Sequence, residues 1–268
     1  MWDEQALDAA PIPAGKMPAI EKAALAACDA LDGVEDGVID DPTRCHFDSA
    51  TLLCNGAESD SCLTAAQIGS LKKIYDGPRN SKRERIFSGY APGGESGPGG
   101  WSRWITGVNS QQAIFAKGFF ANMVFQDAAW DFRSFTFDRD MKITDDKSGR
   151  LFNATEANLK SFKDGGGKLL MYHGWSDTAI APTNAVIYYE SVVAKMGPKR
   201  ASEFVQLYMV PGMQHCAGGP GPNSFGANPS AIAIRSAAQH DPGAGSMGGP
   251  GHGARAHCGD KIQDRRES

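Results

Sequence analysis

The sequence predicts an α/β fold built around a parallel sheet. Two short apolar segments, residues 168–173 and 204–210, have the length and composition of strands, the first of them apolar enough to be buried on both faces. Between them, residues 183–196 have the pattern of a helix that ends at a Gly-Pro pair. A helix of this length between two strands is typical of a parallel arrangement, because the chain must cross over before the second strand begins.

An acid follows the first predicted strand and a histidine follows the second. Asp177 lies in the loop after the first strand, and His215 lies in the loop after the second. In an α/β-hydrolase the catalytic groups occur in the chain order serine, acid, histidine. The pattern therefore predicts Asp177 as the acid and His215 as the base, whereas His173, at the end of the first strand, is expected to be structural.

The nucleophile that should precede this pair is not visible in the sequence. A nucleophile elbow has the pattern G-x-S-x-G, which occurs nowhere in the chain. The nearest imitation surrounds Ser96, but glycine and proline follow the serine directly and no strand precedes it. We therefore expect the chain to carry the acid and base of a hydrolase without its serine.

The remaining elements are mostly helical. Predicted helices cover residues 19–30, 64–75, part of 101–125, and 153–164. Pro18 suits the start of the first of these helices and Thr64 suits the N-cap of the second. From about residue 231 the composition changes to Gly, Pro, His and Arg, which predicts a disordered or aberrant tail over 231–268.

Composition excludes some classes of function. The 268 residues are 41% hydrophobic with a net charge of −4, and no long basic run is present, which argues against nucleic acid as a partner. No segment is apolar enough to predict a membrane span, and the acidic start of the chain shows no signal peptide. The sequence does not indicate an oligomeric state.

Six cysteines favour an oxidising compartment. Cys28, Cys45, Cys54 and Cys62 lie close together in a loop-rich region, which favours disulfides. A zinc site is the alternative, but no C-x-x-C pair supports it. Neither Cys216 nor Cys258 has an obvious local partner.

An acidic loop beside Cys28 has the composition of a calcium site. Asp29, Asp32 and Asp36 fall at relative positions one, four and eight, and the carbonyls of Val34 and Val38 lie between and after them. Calcium binds carboxylate and carbonyl oxygens, and closely spaced carboxylates repel one another without a cation. The alternative is a solvated acidic turn, and the spacing is not that of an EF-hand.

Taken together, these motifs resemble the tannase and feruloyl esterase family over roughly residues 19–225. The motifs are Cys28-Asp29-Ala30-Leu31-Asp32-Gly33-Val34-Glu35-Asp36-Gly37-Val38-Ile39, Pro92-Gly93-Gly94-Glu95, His173-Gly174-Trp175-Ser176-Asp177 and Val210-Pro211-Gly212-Met213-Gln214-His215-Cys216. The resemblance implies secreted or periplasmic α/β-hydrolases that cleave small aromatic esters, such as feruloyl or galloyl esters.

The resemblance also implies roles for individual residues. Asp177 is the acid that orients His215, the general base. The calcium ligands are Asp29, Asp32, the Val34 carbonyl, Asp36 and the Val38 carbonyl. The disulfides are Cys28–Cys45 and Cys54–Cys62, and the partner of Cys216 lies before the serine that this chain lacks.

The expected architecture is a partial α/β-hydrolase fold with an inserted, disulfide-containing lid domain that binds calcium. Residues 1–27 form a helical lead-in, 28–150 the lid with its calcium loop, and 151–230 the C-terminal part of the hydrolase domain. Trp101 and Trp104 line an aryl pocket or form the core of the lid. The alternative to an esterase is a non-catalytic, calcium-stabilised fragment or binding module.

Overall fold

The computed structural model describes residues 1–107 and 109–225. The predicted tail at 231–268, including Cys258, lies outside them. The α-helices are α1 (Trp2–Ala9), α2 (Met17–Cys28), α3 (Ala65–Asp76), α4 (Trp101–Trp104), α5 (Gln111–Gly118), α6 (Phe137–Thr144), α7 (Arg150–Phe152), α8 (Lys160–Asp164), α9 (Thr183–Met196) and α10 (Pro198–Ala201). The strands are β1 (Leu169–Gly174) and β2 (Val205–Val210), and π-helical turns cover Phe119–Phe125 and Asp145–Gly149.

The two strands pair in parallel, as predicted. Leu169 lies opposite Val205 and Gly174 opposite Val210, so the strands end level with each other. Helix α9 packs on one face of this sheet, where Val192 and Met196 contact the side chains of alternate strand residues. This is the crossover arrangement expected of a strand, a helix and a second parallel strand.

The prediction that the first strand is buried on both faces is wrong for the described residues. Leu170 and Tyr172 point away from α9 and are 67% and 37% exposed. Leu169 and Met171 face the helix and belong to its core cluster. The difference arises because α9 covers only one side of the strand pair, and in the described part of the chain Phe225 alone makes a ring contact with Tyr172 on the other side.

A second core unites the first hundred residues. Ile12, Ile20, Leu71 and Trp101 are almost fully buried and belong to one cluster, which links α1, α2, α3 and α4. The predicted N-cap of α3 is present: Thr64 and Gln67 accept hydrogen bonds from each other's backbone nitrogens, which forms a capping box.

The prediction of one helix over 153–164 is wrong in its first half, because α8 begins only at Lys160. Glu156 accepts a hydrogen bond from the backbone nitrogen of Asn158, and the Asn158 side chain accepts one from the nitrogen of Lys160. Side chains that bind nearby backbone nitrogens in this way compete with helical hydrogen bonds.

Both predicted disulfides are confirmed. Cys28 is bonded to Cys45 and Cys54 to Cys62, with Cα atoms 5.3 and 4.9 Å apart. Among the described residues, no helix has the length and apolarity to span a membrane.

Candidate active site

The acid and base loops leave the same edge of the sheet because the two strands end level. The backbone nitrogen of Trp175 donates to the carbonyl of Val210, and the nitrogen of Ser176 donates to the carbonyl of Met213. Gly174 makes this approach possible, since a Cβ at that position would lie 2.1 Å from the Met213 carbonyl oxygen. The strand ladder therefore continues as contacts between the two loops.

Asp177 is buried and lies within hydrogen-bond distance of four donors. Its Oδ1 accepts from the backbone nitrogens of Ala179 and Ile180, at 2.8 and 2.9 Å. Its Oδ2 lies 3.0 Å from His215 Nδ1 and 3.2 Å from His173 Nε2. Burial by itself raises the pKa of Asp177, but these hydrogen bonds favour the carboxylate and hold its pKa below the usual value.

The geometry fixes the useful tautomer of His215. Because Asp177 is held as a carboxylate, Nδ1 of His215 carries the proton that it donates. Nε2 is then left with a lone pair, and no described residue hydrogen-bonds to it. Trp104 packs edge-on against the imidazole, with ring centroids 5.0 Å apart, whereas Trp101 is fully buried in the helical core. The sequence left both tryptophans open between pocket and core; of the two, only Trp104 lies at the site.

His173 is also part of the site. Its Nε2 lies within hydrogen-bond distance of two acceptors, Asp177 Oδ2 and the Ile180 carbonyl, at 3.2 and 3.3 Å. An acceptor on each side requires that Nε2 carry the hydrogen. The sequence predicts a structural role for His173, because the spacing from 173 to 177 does not show that the turn brings these side chains together.

The serines near the site do not reach His215. Ser96, in the segment that partly matches the nucleophile-elbow motif, donates to Glu21. Ser176 donates to the carbonyl of Gly93 at 3.2 Å. Cys216 is exposed and free, and it has a left-handed backbone conformation with φ +62°. Within the described residues, the site therefore contains an acid and a base but no hydroxyl bonded to the base.

Two cavities meet at Ile180. A small one of about 270 Å³ opens beside the two imidazoles and is lined by His173, Asp177, Ile180, Met213, His215 and Cys216. A larger one of about 440 Å³ is mainly apolar and is lined by Ile180 together with Phe120, Phe135 and Phe137. An apolar cavity of this volume beside polar groups is typical of a small-molecule site.

The acidic loop is closed, but its carboxylates bind the backbone. Asp29 accepts from the nitrogens of Asp36 and Gly37, at 3.3 and 2.9 Å, and Asp32 accepts from the nitrogen of Val34. Among the described residues, no group of three or more His, Cys, Asp or Glu side chains is arranged to hold a metal. The bonds from the nitrogens of Asp36 and Gly37 to Asp29 draw the two ends of the loop together.

Comparisons with known proteins agree with this geometry. The sequence profile described as tannase and feruloyl esterase matches residues 3–236. An uncharacterized esterase of Xanthomonas campestris pv. campestris is 42% identical, over 90% of this chain and 47% of the relative. The mono(2-hydroxyethyl) terephthalate hydrolase of Piscinibacter sakaiensis is 33% identical, over 77% of this chain and 40% of the relative.

A solved structure gives the same result. The crystal structure of feruloyl esterase B from Aspergillus oryzae superimposes with a TM-score of 0.76 and 26% sequence identity, over 85% of this chain and 47% of that chain. The present chain thus spans about half the length of the relatives that it matches.

The fold and the site define an α/β-hydrolase-type protein, in which parallel strands present an acid and a histidine at one edge of a sheet. The chain belongs to the tannase and feruloyl esterase family.

Proposed function

We propose that this chain supplies the acid and the base of an esterase that cleaves small aromatic esters. The observation that carries the proposal is the hydrogen bond of 3.0 Å between His215 Nδ1 and Asp177 Oδ2. It leaves the opposite nitrogen of the imidazole as a proton acceptor facing a cavity. The nucleophilic serine is not among the residues of this chain, since the sequence has no G-x-S-x-G and no serine bonds to His215 in its described part.

The mechanism follows from these positions. Nε2 of His215 removes the proton from the serine hydroxyl as the oxygen attacks the ester carbonyl. Asp177 stabilises the imidazolium that results and keeps the ring in orientation. The imidazolium then protonates the leaving alkoxide, and a water activated in the same way hydrolyses the acyl-enzyme.

The cavities support an aromatic substrate. The apolar cavity of about 440 Å³ is lined by four phenylalanine side chains and by Ile180, which also lines the small cavity beside His215. An aromatic acyl group in the larger cavity would bring its ester carbonyl toward the smaller one. Relatives are named for feruloyl and mono(2-hydroxyethyl) terephthalate esters, which both contain an aromatic acyl group.

We assign residues 28–150 to a lid and its acidic loop to calcium, with ligands from Asp29, Asp32, the Val34 carbonyl, Asp36 and the Val38 carbonyl. The Cys28–Cys45 disulfide closes the loop at its base, and the exposed carboxylates supply hard oxygen donors. Such an ion would hold the loop closed and take no part in the chemistry. Two disulfides favour a secreted or periplasmic protein.

Labelling with a fluorophosphonate probe tests the proposal. The 268-residue chain is compared with the product of its reading frame extended upstream, and both are assayed with methyl ferulate and methyl gallate. We expect no label or hydrolysis with the chain itself, and both with the extended product. His215→Ala or Asp177→Asn in the extended product should reduce hydrolysis by about 10³-fold or more.

Three results would contradict the proposal. A labelled serine within residues 1–268 would mean that the nucleophile is present and was missed. An upstream frame without a G-x-S-x-G, or an extended product that neither labels nor hydrolyses the esters, would favour a non-catalytic, calcium-stabilised module.

A further inference from the structure

A glycine-rich segment, residues 93–100, touches both the acid loop and the base loop; it is called the clamp segment below. Ser176 and Thr178, on either side of the acid, donate to the carbonyls of Gly93 and Gly99, at 3.2 and 2.7 Å. Gln214, next to the base, donates to the carbonyl of Ser96 at 3.2 Å. Each bond joins a side chain adjacent to a catalytic residue to the backbone of the clamp segment.

These contacts are close and buried. Ser176, Thr178 and Gln214 are buried, with exposed fractions of 5%, 2% and 7%. A Cβ on Gly94 would lie 2.8 Å from the Cβ and 2.9 Å from the carbonyl oxygen of Ser176, so the clamp segment packs directly on the acid loop. Buried hydrogen bonds of this kind restrict movement, because a group that leaves its partner stays without one.

The clamp segment is itself held by a fully buried carboxyl group. Both oxygens of Glu95 accept from the backbone nitrogen of Gly93, at 3.0 and 3.1 Å. The hydroxyl of Tyr75, on α3, donates to the same carboxyl at 2.5 Å, and the nitrogen of Trp101 donates to the Glu95 carbonyl. These bonds connect the clamp segment to the helical core that contains Trp101.

The Glu95 carboxyl has no basic partner among the described residues. Burial, with a smaller contribution from the nearby carboxyl of Glu21, raises its pKa to about 7, although the hydrogen bond from Tyr75 acts in the opposite direction. A buried acid without a cation costs stability, which calls for a role in the structure. Neither Glu95 nor the clamp segment enters the proposed chemistry directly.

We propose that the clamp segment, anchored by Glu95, sets the distance between Asp177 and His215 and that Glu95, Thr178 and Gln214 are positioning residues of the site. The acid and base loops are joined at the sheet through Gly174 and Met213, and the clamp segment joins them a second time on the side of the helical core. This inference rests on the roles proposed for Asp177 and His215.

Hydrogen exchange and NMR of the 268-residue chain test the proposal. Thr178→Val and Gln214→Met together remove two of the three links without changing side-chain size much, and Glu95→Ala releases the anchor. Each should raise amide exchange in residues 176–180 and 213–218 at least about tenfold, because two buried hydrogen bonds are lost. The proton on His215 Nδ1 should shift upfield or broaden.

Matched variants separate positioning from general stability. Thr178→Ser keeps the hydroxyl donor and should restore both readouts. Ser191→Ala removes a hydroxyl-to-carbonyl bond on α9, away from the site, and should leave both unchanged. If exchange rises only in residues 93–100, or the Nδ1 proton signal is unaltered in both clamp variants, the proposal is wrong.

The two proposals fail in different ways. A wild-type chain without any downfield Nδ1 proton would argue against the catalytic pairing of Asp177 and His215. The exchange of the two loops would still report whether the clamp segment restrains them.

Discussion

His173 and His215 share one oxygen of Asp177. Oδ2 lies 3.2 Å from Nε2 of the first imidazole and 3.0 Å from Nδ1 of the second. The other oxygen is held by two backbone nitrogens, so the carboxylate cannot turn without losing several bonds at once. His173, which the sequence predicts to be structural, therefore helps to hold the Asp177 carboxylate in its orientation.

Replacing His173 tests this role. His173→Ala should lower the free energy of unfolding by about 1.5–3 kcal/mol, because a hydrogen bond to a charged group is lost. His173→Gln keeps an N–H donor and should lose less. Urea unfolding of both variants checks the difference, and equal losses would show that the hydrogen bond to Asp177 is not what His173 contributes.

Glu95 should give the protein a distinct dependence on pH. Its pKa is raised to about 7 in the folded protein, above that of an exposed glutamate, so the folded state binds the proton more tightly. The contribution of Glu95 to the free energy of unfolding is then largest below about pH 4.5. It is lost as the pH rises to 7, by about 3 kcal/mol in total. Glu95→Gln cannot titrate and should remove this loss.

The measurement is the free energy of unfolding of wild type and Glu95→Gln between pH 4.5 and 8. Glu58→Gln is the control, because Lys16 lowers the pKa of that carboxyl, so its contribution to stability is nearly constant above about pH 4.5 and is lost only at lower pH. Parallel curves for wild type and Glu95→Gln would mean that Glu95 does not titrate in this range.

Calcium should stabilise the chain. At a concentration 100 times its dissociation constant, an ion that binds only the folded state adds about 2.7 kcal/mol. The melting temperature in calcium and in EDTA measures this gain. Asp29→Asn with Asp36→Asn should abolish it, whereas Asp145→Asn, in another acidic segment, should not; a gain that survives in the double variant would place the ion elsewhere.

Loss of the Cys28–Cys45 disulfide should be more damaging than loss of Cys54–Cys62. The two bonds close segments with sequence separations of 17 and 8 residues. The chain-entropy relation gives about 3 and about 2.5 kcal/mol, respectively. Paired Cys→Ser variants compared by unfolding check this order. Loss of Cys28–Cys45 should also weaken calcium binding by the acidic loop that begins beside Cys28. A larger loss of stability in the Cys54–Cys62 variant would contradict the expected order.

Neighbouring residues of β1 should respond in opposite ways to the same change. Leu170→Thr should reduce any self-association seen by sedimentation, because this side chain is 67% exposed on a face that the described residues leave largely open. Leu169 faces α9, so Leu169→Thr should instead lower the free energy of unfolding by about 1–3 kcal/mol, because it buries a hydroxyl group. Unchanged association in Leu170→Thr would show that another surface drives it.

The local parts of the structure could be predicted from sequence, since they depend on neighbouring residues. The capping box of α3, the parallel strands and the loops of Asp177 and His215 follow from short patterns. The contact of His173 with Asp177 depends on the path of one turn, and the burial of Glu95 depends on packing between distant segments. Neither the contact nor the burial produces a periodic pattern in the sequence.

The same limit explains the errors. The exposure of alternate side chains in β1 depends on what packs beside the strand, which its apolar sequence does not indicate. The late start of α8 results from two side chains that bind nearby backbone nitrogens. The proposed roles of the metal ligands and of the two catalytic residues stay predictions.

The level ends of β1 and β2 have a consequence for how such proteins diversify. The ladder between the strands keeps the two loops at the same edge of the sheet, whatever the length of the connection through α9. Insertions or deletions in the connection between β1 and β2 can therefore accumulate without separating Asp177 from His215. Evolution, or a protein engineer, is free to reshape the surface there while the hydrogen bond between Asp177 and His215 is kept.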